Sequence, residues 1–132
     1  MTWDMVKEIA SSRYGRIEAH TTNHMALSQQ SEDEVLLDVQ GSFDRINAET
    51  GYKPRHFAYP YGDAASMGPR DIELIKSLPF NSAVTTKEAV LQRHHRSEIF
   101  ALPRLEVNGQ YQSDDYLGLL LQGVAPYLKV AS

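Results

Sequence analysis

The sequence predicts a parallel α/β fold, in which strands alternate with helices and the helices cover the sheet. Three observations predict it. A capping box, Ser31 with Glu34, opens a run whose apolar residues Val35, Leu36, Val39, Phe43 and Ile46 follow helical spacing. Two short β-rich stretches, 55–59 and 81–85, flank a second helical pattern that starts at Pro69. Helix and strand therefore alternate along most of the chain, which favours parallel pairing.

Each element has its own reason. Residues 2–12 read as a helix: Thr2 can cap it, and Trp3, Val6, Ile9 and Ala10 make an apolar face. Tyr14 and Gly15 stop it. Residues 16–19 alternate polar and apolar, which predicts a short strand ending at His20. A polar loop follows, and then the Ser31 helix, which Gly51 ends. The strand at 55–59 leads into the turn Pro60-Tyr61-Gly62-Asp63. The Pro69 helix carries Ile72, Leu74, Ile75 and Leu78 and stops at Pro79. After the strand at 81–85, residues 86–100 read mostly as loop. A short strand within 101–107 is broken by Pro103. Ser113 caps a last helix with a face of Leu117, Leu120, Leu121 and Val124, weakened by Gly118 and Gly123. The chain opens on a helix rather than a strand, so the reading expects it to start part-way into a larger fold.

Length and composition narrow the function classes. A chain of 132 residues suits one domain, 1–132. It is 42% hydrophobic and 23% charged, as globular proteins are. A net charge of -4 with no long Lys/Arg run argues against nucleic-acid binding. The absence of cysteine excludes disulfides, thiolate zinc sites and cysteine nucleophiles. No apolar run approaches the ~20 residues of a membrane span. The first residues lack a signal-peptide core, so the expected location, as written, is cytoplasmic.

Four stretches carry chemistry. His20 and His24, in H-T-T-N-H, stand at the end of a strand and on the following loop, where α/β folds collect functional residues. Neutral imidazoles ligate zinc and similar ions, but spacing alone favours two exposed or structural histidines. Thr21 stands where the zincin pattern needs glutamate, so that motif is excluded. The turn in 56–63, H-F-A-Y-P-Y-G-D, can line a pocket and present a backbone N–H to an oxyanion. On local chemistry alone an ordinary turn accounts for it. His94 and His95 are adjacent, and neighbours in sequence point apart, so R-H-H-R reads as a solvated basic loop. Arg104 follows a short strand and suits either a site or the surface.

Together these stretches resemble the polysaccharide deacetylases, the NodB-homology proteins of carbohydrate esterase family 4. E-A-H-T-T-N-H-M-A-L-S-Q-Q-S-E-D-E-V resembles the family's H-[ST]-x-x-H motif with its following helix. K-P-R-H-F-A-Y-P-Y-G-D is similar to the third motif in its F-A-Y-P-Y-G form. T-W-D-M-V-K-E-I-A-S-S looks like the helix before the metal-binding strand, and S-A-V-T-T and L-P-R-L-E-V resemble later strands. The resemblance implies an incomplete, distorted (β/α) barrel. It implies a divalent metal, commonly zinc, held by two histidines, here His20 and His24, and one aspartate. It implies hydrolysis of acetyl groups from N- or O-acetylated sugars, with an acetylated oligo- or polysaccharide as partner. The backbone N–H of Tyr61 would hold the oxyanion. Tyr59, Pro60, Tyr61 and Gly62 would line the groove, with Arg104 beside them.

The departures set further expectations. The family's first motif, T-F-D-D-G, which carries the catalytic base and the metal-ligating aspartate, has no match in residues 1–132. Ala58 stands where many members have arginine, and no L-x-H motif supplies the acid. The reading therefore expects an N-terminally incomplete domain, weak or absent metal binding and little activity in this chain. It also expects a homo-oligomer through an exposed sheet edge. The alternative is a non-catalytic carbohydrate-binding or interaction domain using Tyr59, Tyr61 and Trp3.

Overall fold

The strongest local signal in the sequence forms the longest helix. In the computed structural model, which describes residues 1–107 and 113–123, helix α2 spans Glu32–Thr50. The Glu34 N–H donates to Ser31 Oγ, and the Ser31 N–H donates back to Glu34 Oε2. The Ser31 N–H foremost, and then the Ser31 hydroxyl, which donates to the same oxygen at 2.7 Å, hold the Glu34 carboxyl below its ordinary range. Gly51 ends α2 in the left-handed conformation. Helix α1 (Trp3–Ser11), capped by Thr2, lies against α2 with no fully buried residue. Its Trp3 ring sits under the Arg45 guanidinium at 4.9 Å. Lys7 and Arg45 both pair with Glu49.

Three strands, β1 (His56–Ala58), β2 (Ser82–Glu88) and β3 (Leu102–Arg104), form a parallel sheet in that order. Helix α3 (Pro69–Lys76) connects the first two. The core gathers Val35, Val39 and Phe43 from α2, Ile75 from α3, and Phe57 and Ala83 from the sheet. Phe57 meets the Tyr59 ring edge-on at 5.2 Å and packs against the Phe80 ring, tilted by 38°, at 5.5 Å. The sheet residues that alternate to the other side, His56, Ala58, Ser82 and Val84, stay partly or fully exposed.

Four sequence expectations are corrected. Residues 16–19 form no strand; only Ala19 makes a parallel bridge, to Phe57. The next rung back would use the His56 N–H, and that donor is bound by Glu18 Oε2 at 2.9 Å. Second, β2 continues through Glu88 into the segment expected as loop. Third, Pro103 lies inside β3 rather than breaking it. Leu102 and Arg104 offer their carbonyls to Thr85 Oγ1 and the Ala89 N–H, so the Pro103 nitrogen points away from the ladder. Fourth, helix α4 (Asp114–Leu121), capped by Ser113, buries Leu120 but leaves Leu117 and Leu121 41% and 67% exposed. Just past its end, a Cβ added at Gly123 would come within 2.8 Å of the Val90 side chain. Val124 lies outside the described residues. No helix among the described residues is long and apolar enough to cross a membrane.

Candidate metal centre

His20 is placed by its neighbour. Ala19 is bonded on both sides to β1: its N–H donates to His56 O at 3.2 Å, and its carbonyl accepts from the Ala58 N–H at 3.0 Å. His20 thus leaves the sheet beside the end of β1. Its ring Nδ1 stands 2.7 Å from Ala58 O. A carbonyl can only accept, so Nδ1 carries a proton, and in the neutral ring the Nε2 lone pair is free to ligate. The His20 N–H donates to Ser42 Oγ of α2 at 3.3 Å.

The loop from His20 to His24 is bent twice through the left-handed region, at Thr21 (φ 63°) and His24 (φ 55°). Such residues persist only where surroundings hold them. Here the His24 N–H donates to Thr21 Oγ1 at 3.0 Å. Asp38 of α2 accepts three hydrogen bonds on Oδ1: from the Thr22 and Asn23 N–H groups at 3.0 Å each, and from Asn23 Nδ2 at 2.9 Å. The bends bring the two imidazoles together, with ring centroids 4.9 Å apart. The His24 ring then meets Tyr61 at another 4.9 Å.

Tyr61 owes its position to the Pro-Tyr-Gly turn. The Gly62 N–H closes on Pro60 O at 2.6 Å, with Tyr61 between them at φ 61°. Gly62, at φ 69°, is required there, because a Cβ would lie 2.9 Å from the Thr86 backbone nitrogen. Asp63 Oδ1 accepts from the Ala65 and Ser66 N–H groups, and the Ser66 donors hold its carboxyl below the usual range. His24, Tyr61, Asp63 and Ser66 line one open hollow of about 300 Å³. Tyr61 is 57% exposed beside it.

The structure separates the other expected site residues from this hollow. Tyr59 is 1% exposed, and its hydroxyl donates to Phe100 O at 2.9 Å. Burial pushes that hydroxyl's pKa far up, so it stays a neutral donor in the core rather than a groove wall. Pro60 is buried as well. Arg104 lines a different hollow, with Thr86 and Glu106, and donates from Nε to Thr85 O at 2.7 Å. Trp3 is engaged with Arg45 on α1 and α2.

A second histidine group stands on the 3-10 turn Arg93–Ser97. Contrary to expectation, the adjacent rings of His94 and His95 do not diverge: their centroids are 4.0 Å apart. The tight turn brings them together, and His95 is buried. With Glu98 they place three potential ligand atoms within 4.8 Å of one another. However, His95 Nδ1 accepts the Gln92 N–H at 2.8 Å. Its lone pair is spent there, which puts the ring proton on Nε2. The group is close-set but not ready to ligate.

The donor set of His20 and His24 fits two imidazole ligands of a zinc-like ion. Among the described residues no carboxylate joins them in a three-ligand group of that compactness. Asp38 and Ser42, which brace the loop, belong to none of the motifs the sequence singles out. Their signal was present: both are polar residues spaced with Val35, Val39 and Ile46 on the apolar stripe of α2.

The family whose sequence pattern matches is the polysaccharide deacetylases, over residues 1–81. No curated protein matches the chain in sequence. Among solved structures, a Streptococcus pyogenes deacetylase, PplD, in complex with acetate superposes with TM-score 0.78 at 21% identity, covering 91% of this chain and 50% of that one. A polysaccharide deacetylase from Bacillus cereus gives TM-score 0.78 at 17% identity, over 91% of this chain and 36% of its own. A mutant of a CE4 family pseudoenzyme gives TM-score 0.56 at 16% identity, over 96% and 48%. The chain thus spans about half or less of the length of each, and its fold is an incomplete version of theirs.

Proposed function

Because the chain belongs to the polysaccharide deacetylase family, we propose that it carries part of a metal-dependent site for hydrolysing acetyl groups from N- or O-acetylated sugars. The observation that carries this reading is the His20–His24 pair, its first ring held with Nδ1–H on Ala58 O and Nε2 free. A divalent ion, zinc by its preference for imidazole, would supply a polarised acetyl carbonyl and a water of lowered pKa when bound. His20 and His24 would hold it. Tyr61 supports the same chemistry, since its backbone N–H has no protein acceptor among the described residues and sits in the turn beside His24. It is positioned to donate to the oxyanion of a tetrahedral intermediate. Gly62 shapes that turn from below, as Tyr59 and Pro60 do from the core.

In this reading the 132 residues by themselves are weak or inactive. They contain no T-F-D-D-G match, and a missing general base removes a term of about 10²–10⁴-fold. The partner is an acetylated oligo- or polysaccharide. Self-association through the sheet edge beside the single Ala19 bridge is part of the proposal, and sedimentation as a monomer at high concentration would count against it. The alternative of a carbohydrate-binding platform loses support, because of its three aromatics only Tyr61 lies open beside the hollow. Zinc titration of the chain, followed by deacetylation assays on acetylated chitin oligomers, tests the proposal. Zinc binding that depends on His20 and His24, with little turnover, is expected. Robust turnover without those histidines would sink it.

A further inference from the structure

We infer that Asp38 is the positioning residue that presets the histidine pair for metal, acting from α2 without touching the ion. The inference rests on His20 and His24 being ligands and names what holds them. Asp38 is 6% exposed, on the apolar stripe of a helix, where an unpaired carboxylate would be costly. All three of its side-chain hydrogen bonds go through Oδ1 to the loop between the two histidines. Its second oxygen, Oδ2, is buried and accepts no bond from the described residues. The carboxylate is therefore spent on the loop alone.

The same stretch of α2 is shaped around that loop. Thr22 Oγ1 donates to the Asp38 backbone carbonyl at 3.2 Å. One turn on, Ser42 takes the His20 N–H. Between them Gly41 allows the close approach, because a Cβ there would lie 2.9 Å from Thr22 Oγ1. The bends at Thr21 and His24 that converge the rings lie on either side of the two residues Asp38 grips.

Three variants of the 132-residue chain test it: Asp38→Ala, Asp38→Asn and, as a packing control, Val39→Ala. Two quantities are read: zinc affinity by calorimetry, and amide hydrogen exchange at Thr22 and Asn23 without metal. Removing Asp38 should weaken zinc about 10–100-fold, the range for groups that orient metal ligands, and speed exchange at both amides. The asparagine can place its carbonyl oxygen at Oδ1 without breaking a bond, so it should restore most of both. Val39→Ala should lower Tm yet leave zinc affinity unchanged. If Asp38→Ala and Val39→Ala weaken zinc alike, or if asparagine restores nothing, the positioning role is overturned. If the parent chain binds no zinc, the ligand reading fails by itself. The exchange data then decide Asp38: protection lost with alanine and kept with asparagine upholds the clamp, and unchanged protection overturns it.

Discussion

The two histidine groups of this chain differ in a way that raw proximity conceals. His94, His95 and Glu98 form a group of three candidate ligands whose ligand atoms lie within 4.8 Å of one another. Yet His95 has given its Nδ1 lone pair to the Gln92 N–H, and the turn is held by that bond. His20 and His24 are more widely set, and among the described residues no carboxylate completes an equally compact group of three with them, but the partner of His20 is a carbonyl, which leaves Nε2 of the neutral ring free. Their loop is braced by two helical side chains and a strand end. Readiness to ligate depends on where each ring proton sits, and that is fixed by what the other nitrogen touches.

The largest test of this contrast is to remove each pair in turn. His20→Ala or His24→Ala should reduce zinc affinity by more than the ~10–100-fold that loss of an orienting group costs. His94→Ala should leave it unchanged in the same calorimetric titration. Zinc lost with His94 and kept without His20 would reverse the assignment. Next in size, Gly62→Ala should destabilise the chain by about 1–3 kcal/mol in denaturant unfolding, because a β-carbon meets the Thr86 backbone at a left-handed position. That change should also disturb the Tyr61–His24 contact, visible as a shift of the His24 ring resonances.

A smaller effect is expected on the other side of the comparison. His95→Ala removes the acceptor of the Gln92 N–H and should cost about 1–3 kcal/mol or less, given the partial access of water to that turn. Zinc affinity should not move. The smallest effect concerns acid. The Asp63 carboxyl has a lowered pKa in the folded chain, so its contribution is complete above the ordinary aspartate value of about 4. It is lost as pH falls from there through the lower folded value. The stability gap between the parent and Asp63→Asn should therefore be present at pH 7 and closed in strong acid. A gap that persists in acid would show that the Asp63 charge does not hold the turn beside His24.

Much of this was legible in the sequence, for reasons that vary by element. The α2 cap, its Gly51 stop and the strands at Phe57 and Ala83 followed from local chemistry. The 16–19 strand did not form because a side chain, Glu18, took the His56 donor that the ladder needed, and alternation carries no record of such competition. The convergence of His94 and His95 was missed because a 3-10 turn spaces neighbours unlike a helix or strand. Tyr59 looked like groove wall from its motif and became core because Phe57 and Phe100 enclose it.

The sequence by itself determined the alternation of helices and strands, the family, and the identity of His20, His24 and Tyr61 as the chemical groups of interest. Those follow from local spacing and from motifs a few residues long. Only the tertiary structure decided which ring nitrogen is free, which histidine pair is braced and which polar residue does the bracing. Each of those depends on contacts between segments far apart in the chain: Ala58 with His20, Asp38 with Thr22 and Asn23, Phe100 with Tyr59. Such contacts form only once burial has brought the elements together, and no local pattern encodes them.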